Sequence, residues 1–120
     1  MNFNCSLGAL KLAEQASRLA GVEKLMSFSI GDVSKYSPRL NRKNQIVVTN
    51  PPWDVRLEGG IEAWQGLGDF GRRELKGSRI WALSGNPDIT RNIRLKSSMK
   101  IPLNAASVDL RFLRYDVRGD

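Results

Sequence analysis

The chain has no histidine and a single cysteine, Cys5, among its 120 residues. Histidine acid/base chemistry and the Ser-His-Asp triad are therefore excluded. One cysteine allows no internal disulfide, and the two shortages together leave no ordinary zinc cluster. No apolar run approaches the length of a membrane span. The start, Met1-Asn2-Phe3-Asn4, lacks the basic segment and apolar core of a secretory signal. These shortages fit a reducing, intracellular setting, cytoplasmic or organellar. Acidic residues are also in deficit, 12 against 19 basic, which leaves a net charge of +7. Such an excess attracts a polyanion such as RNA, although it also serves solubility. The basic residues cluster at Arg39-Leu40-Asn41-Arg42-Lys43, at Arg72-Arg73 and between Arg91 and Lys100.

What is present is one domain's worth of chain with an ordinary apolar content of 41%. Its most informative stretch is Thr49-Asn50-Pro51-Pro52-Trp53, directly after the apolar, β-branched run Gln45-Ile46-Val47-Val48. That run reads as a buried strand. Two consecutive prolines can neither donate to a ladder nor continue the strand, so the chain leaves the sheet at Asn50 in a stiff turn. The turn presents an amide side chain, the carbonyls of Asn50 and Pro51 in a fixed direction, and the flat ring of Trp53. Acceptors beside a stacking platform suit a planar base that carries an exocyclic amine.

Around this turn the pattern predicts helix, strand, strand, helix, strand, short helix and hairpin. Ser6 caps a first helix with Ala9, Leu12, Ala13, Ala16, Leu19 and Ala20 on its apolar side, and Gly21 stops it. Met26-Ser27-Phe28-Ser29-Ile30 alternates as a strand and ends at Gly31-Asp32. A carboxylate past a strand's C-terminal end sits where open α/β sheets bind ligands, so Asp32 is a candidate, against the plainer reading of a turn residue. A second helix runs from about residue 61 to 76 with Ile61, Trp64, Leu67, Phe70 and Leu75 as its stripe, and Trp64 reads as core. Arg79 to Ser84 is a buried strand, and Asn86-Pro87 caps a short helix after it. Met99 to Leu103 suits an edge strand because of Pro102; Asn104 to Ser107 turns into a last strand from Val108 to Val117. Strands alternating with helices predict a mainly parallel sheet, closed by an antiparallel hairpin.

These residues carry a resemblance. Asn50-Pro51-Pro52-Trp53 after an apolar strand resembles the catalytic motif of class I amino methyltransferases. The runs Leu67-Gly68-Asp69-Phe70 to Arg79, Leu83-Ser84-Gly85-Asn86-Pro87-Asp88, and Pro102-Leu103-Asn104 with Leu110 to Tyr115 are similar to a narrower group. That group is the THUMP-associated RNA methyltransferases, which modify the 2-amino group of guanine in large-subunit ribosomal RNA. The resemblance implies an α/β fold, a partial Rossmann-like methyltransferase sheet ending in an antiparallel hairpin. It implies S-adenosylmethionine as cofactor and ribosomal RNA as partner. Asn50, Pro51, Pro52 and Trp53 become the catalytic turn, with Asn50 and the Pro51 carbonyl on the target amine and Trp53 stacked on the base. Asp32 and Asn50 become cofactor contacts, Asp32 near the adenine. The pattern usually ends in Tyr; Trp keeps the π face and loses the hydroxyl.

The departures shape the expectation as well. The opening strand and glycine-rich turn of such a domain find no match here, and Asn4-Cys5-Ser6 stand where an acidic ribose contact is expected. Residues 1–120 thus look like the C-terminal portion of a catalytic domain, with the missing half supplied by a partner chain or a longer product. A non-catalytic remnant and an adenine-amine DNA methyltransferase are the alternative readings.

Overall fold

A computed structural model of the chain describes residues 7–36, 44–54, 59–105 and 107–118. The sequence pattern of β2, Arg79–Ser84, explains why the rest assembles around it. Ile80, Ala82 and Ser84 alternate inward and are buried, and β2 is paired on both edges. On one edge lies β1, Ile46–Thr49, in parallel, with Val47 opposite Ile80. On the other lies β4, Val108–Asp116, antiparallel, with Leu113 opposite Ala82 and Tyr115 opposite Ile80. β3, Met99–Ala105, closes the far side against β4, giving the order β1-β2-β4-β3.

The hairpin and the α/β character stand as expected, but two of the three pairings are antiparallel, so the sheet is mixed rather than mainly parallel. The cause is residues 26–30. They run without ladder partners, and the expected strand is not in the sheet. A strand is made by its neighbours, and none of the described strands reaches this one.

Helix α2, Gly60–Glu74, covers the inner face of the sheet. Trp64, Leu67, Phe70 and Leu75 are buried against Ile80, Ala82, Leu113 and Tyr115, as their spacing predicts. Ile61 is half-exposed and does not join them. The glycines of α2 serve contact. A Cβ on Gly68 would stand 2.1 Å from the carbonyl oxygen of Ile93, so only a hydrogen fits there. Arg72 donates to the carbonyls of Ile93 and Arg94, 3.1 Å each, and Arg73 donates to the carbonyl of Tyr36 at 2.9 Å. The Arg72-Arg73 cluster is thus largely structural. The Arg39 to Lys43 cluster lies outside the described residues, as does Ser6.

After β2, Asn86 caps α3, Pro87–Thr90, by accepting from the Asp88 amide at 3.0 Å, with Pro87 in the first turn. A short 3-10 turn, Arg91–Ile93, follows and buries Ile93. Pro102 sits in the edge strand, where a missing donor costs no ladder bond. β3 continues through Asn104 and Ala105, paired with Asp109 and Val108, so the hairpin turn is tighter than the sequence suggested.

Two apolar surfaces are left open. In α1, Leu7–Leu19, Ser17 is the only buried residue, and Leu12 and Leu19 are exposed, so the helix is not packed on its apolar side. Gly21 stops it as expected, with positive φ and the Val22 amide reaching back to Ser17. The second face of the sheet carries Ile46, Val48, Met99, Ile101 and Leu103, all exposed. β4 divides its apolar residues between the two faces. Val108, Leu110 and Phe112 point to the open face, and Leu113 and Tyr115 to the core.

Candidate functional site

β1 ends at Thr49, and the Asn50-Pro51-Pro52-Trp53 turn begins at its C-terminal end, beside the start of α2. Pro51 is buried and cannot extend the strand. The turn is pinned from beneath: Trp64, fully buried in the core, donates its indole N–H to the carbonyl of Pro52 at 3.0 Å. The Pro52 carbonyl is thereby held toward the core. The carbonyls of Asn50 and Pro51 accept no hydrogen bond among the described residues and stay open to a ligand.

The ring of Trp53 lies against the backbone of Gly85 in the β2–α3 turn, where a Cβ would meet it at 2.6 Å. Its indole N–H donates to Oδ1 of Asn50 at 3.3 Å. The lost tyrosine hydroxyl is therefore not the whole difference at this position. Tryptophan brings a donor that holds the Asn50 amide.

A cleft of about 370 Å³ opens beside the turn. Asn50, Pro51 and Pro52 line one side, Gly31, Asp32 and Ser34 another, and Glu62 and Leu67 of α2 the floor. The structure thus brings Asp32 and Asn50 to one cavity, although 18 positions separate them in sequence and residues 26–30 form no strand. Trp53 does not line this cleft; its ring sits on the Gly85 side. Oδ1 of Asp32 accepts from the Ser34 hydroxyl at 2.7 Å and the Ser34 amide at 2.9 Å. These bonds, the hydroxyl's first, hold the Asp32 carboxyl below its ordinary range, so it is ionised at neutral pH. Glu62 escaped the sequence reading. Its only signal was a place in the first turn of a helix, which carboxylates favour for other reasons.

Among the described residues there is no group of three metal-ligating side chains and no helix long and apolar enough to cross a membrane.

No protein-family model matches the chain. Curated relatives do. It is 27% identical over 111 residues to the ribosomal RNA large subunit methyltransferase K/L of Vibrio parahaemolyticus, covering 90% of this chain and 16% of that protein. The Aliivibrio salmonicida enzyme of the same name is 29% identical over 105 residues, covering 85% of this chain and 15% of that protein. The chain therefore spans about a sixth of the length of the curated relatives it matches. Among solved structures, SMU.472, assigned as a methyltransferase and solved with SAH, superposes with a TM-score of 0.80 at 16% identity, covering 94% of this chain and 30% of that one. A Listeria monocytogenes protein assigned as an N6-adenine-specific DNA methylase gives 0.78 at 19%, covering 93% of this chain and 28% of that one. A possible methylase of Clostridium difficile 630 gives 0.72 at 22%, with 91% and 29% covered. The resemblance read from the motifs therefore stands: this chain is similar to part of the large-subunit ribosomal RNA methyltransferases K/L, and it carries part of a methyltransferase fold.

Proposed function

We propose that residues 1–120 form the C-terminal, amine-holding portion of an S-adenosylmethionine-dependent methyltransferase that acts on an exocyclic amine of guanine in ribosomal RNA. One observation carries the reading: the open acceptors of Asn50 and Pro51 share a cleft with the ionised Asp32. The names of the curated relatives support the ribosomal RNA substrate, and the SAH-bound neighbour supports the cofactor.

The residues present fit such a cofactor. The cleft has the volume of a small-molecule site, apolar walls from Val33, Val47 and Leu67, and the Asp32 carboxylate to accept from an adenine amine. When bound, S-adenosylmethionine supplies an electrophilic methyl group on a sulfonium. The chain's own residues do the positioning. Asn50 Oδ1 and the Pro51 carbonyl accept the two amine hydrogens and so direct the nitrogen lone pair. Oδ1 has two lone pairs, so it accepts from Trp53 and from the amine together. Trp64 keeps the Pro52 carbonyl in place and thereby the direction of its neighbour. Trp53 offers the π face for stacking.

The second wall of the cofactor site is proposed to come from a strand-and-turn unit outside this portion, on the same polypeptide or a partner chain. The outer edge of β1 pairs with none of the described strands, and Ile46 and Val48 beside it are exposed. A parallel strand needs cover of that kind.

The test mixes the chain with the N-terminal catalytic portion of a K/L relative and labelled S-adenosylmethionine. Label in guanine of a ribosomal RNA substrate, lost in Asn50→Ala, is the expected result. Label in adenine of DNA, or transfer indifferent to Asn50→Ala, refutes the reading.

A further inference from the structure

A second cleft, of about 320 Å³, lies between α3 and the sheet on the other side of the Gly85 backbone from the Asn50 turn. Its mouth carries Arg91, Lys100 and Arg111, set against Asp109 in the lining and Asp88 beside Arg91, an excess of one positive charge. Lys100 and Arg111 are diagonal neighbours on one face of the hairpin, because Lys100 pairs with Leu113 and Arg111 with Pro102. Arg111 is tied to Asp109 at 3.4 Å and Arg91 to Asp88 at 2.9 Å, whereas the Lys100 side chain has no hydrogen bond or ion pair among the described residues. The interior is apolar, with Ile93, Leu95 and Leu113. Tyr115 lines it too; it is 3% exposed, and its hydroxyl has no partner among the described residues. Burial pushes that phenol up to about 12, so it remains a neutral donor.

A basic mouth over an apolar interior, with the Tyr115 hydroxyl as a donor open to the cleft, matches a nucleotide: phosphate outside, base or ribose within. The volume admits one such unit. Gly85 belongs to this cleft, and the Trp53 ring rests on Gly85, so the two sites adjoin through one residue. We infer that this cleft holds one nucleotide of a single-stranded RNA, next to the base presented to the Asn50 turn. The inference rests on the RNA reading above and adds where the strand runs: across the β2–α3 turn, with its backbone on the β3–β4 hairpin. Phosphate contacts of this kind set register rather than sequence.

The experiment measures fluorescence anisotropy of the full chain with a short, guanine-containing single-stranded RNA across a salt series. Lys100→Glu and Arg111→Glu are expected to weaken binding at least about tenfold each and to lower the salt slope by about one. Lys24→Glu, on the remote turn Glu23–Leu25, should change affinity less than about twofold. Ser97→Trp keeps the charge and fills the cleft; it should weaken binding more than about fivefold. The inference is overturned if Lys100→Glu and Arg111→Glu match Lys24→Glu, if Ser97→Trp is neutral, or if guanosine monophosphate binds as tightly as the RNA. No cofactor is needed for this readout. A chain that loses RNA binding as stated yet never transfers methyl with its complement would refute the proposed reaction and keep the cleft.

Discussion

The indole N–H of Trp53 donates to Oδ1 of Asn50 at 3.3 Å. An indole nitrogen only donates, so the atom it faces must be the amide oxygen, and the Asn50 –NH₂ points the other way. The residue proposed to stack on the base therefore also sets which end of the Asn50 amide is free to meet the proposed amine. Trp53→Phe keeps a ring and removes the donor. A net hydrogen bond is worth about 1 kcal/mol, so methyl transfer by the complemented protein should fall about fivefold to tenfold. Circular dichroism should be unchanged, because the bond lies at the surface. An unchanged rate would show that something else orients Asn50.

Trp64→Phe acts one layer deeper. It leaves the Pro52 carbonyl without its 3.0 Å partner beside the core. Loss of a buried partner costs about 1–3 kcal/mol, and the expected urea midpoint drops accordingly. Transfer should fall further than stability alone explains, because the turn loses its anchor. A destabilised protein with normal turnover at low temperature would contradict that positional role.

Much of this was legible in the residues, for physical reasons that differ by element. β2 and α2 were readable because their own side chains bury one another: Ile80, Ala82, Trp64 and Leu67 follow the periods of strand and helix. The Asn86-Pro87 cap is local chemistry and needs no context. Residues 26–30 alternate like a strand, yet a strand requires a partner edge, which a period cannot reveal. The same holds for α1, whose apolar spacing is real but unmatched by any packed surface, since only Ser17 is buried. At the site, Asn50 was visible as a strand-end residue, whereas Asp32 was read from a strand that does not form and yet lines the same cleft. The Trp64 anchor was not, because its indole N–H meets the Pro52 carbonyl twelve positions back, and the Trp53 donor was not, because its ring rests on Gly85 in another turn.

Gly68 offers a sharp stability test. Its missing Cβ would sit 2.1 Å from the Ile93 carbonyl oxygen, which the Arg72 side chain also holds at 3.1 Å. That oxygen is backbone and cannot rotate aside. Gly68→Ala should therefore destabilise by about 2 kcal/mol or more despite its better helix propensity. Thermal unfolding decides it: a melting point equal to or above that of the parent protein would show that the 3-10 turn yields easily.

The local stability of the chain should follow its packing. α1 exposes Leu12 and Leu19, and residues 26–30 have no ladder, whereas β2 is paired on both sides. Amide hydrogen exchange should accordingly be fastest in α1 and residues 26–30 and slowest across Ile80 to Leu83. Addition of a complementing domain that covers these surfaces should slow the first group selectively. Equal protection of α1 and β2 in the isolated chain would mean that α1 has a packing surface not seen here.

Tyr115 gives the chain an alkaline limit with a calculable sign. Burial raises its phenol from the ordinary 10 to about 12, because the folded interior disfavours the phenolate. Below pH 10 the group is protonated in both folded and unfolded chains and contributes no slope. Between about pH 10 and pH 12 the unfolded chain releases the proton first, so stability falls as pH rises, by about 2 kcal/mol over that window. Lysines titrate in the same range, so the measurement is a difference. Urea unfolding of the parent protein and Tyr115→Phe at pH 9, 10, 11 and 12 should give stabilities that are close at pH 9 and separate as pH rises, the parent losing its stability faster. Parallel losses in the two proteins would place the Tyr115 hydroxyl in contact with water rather than within the core.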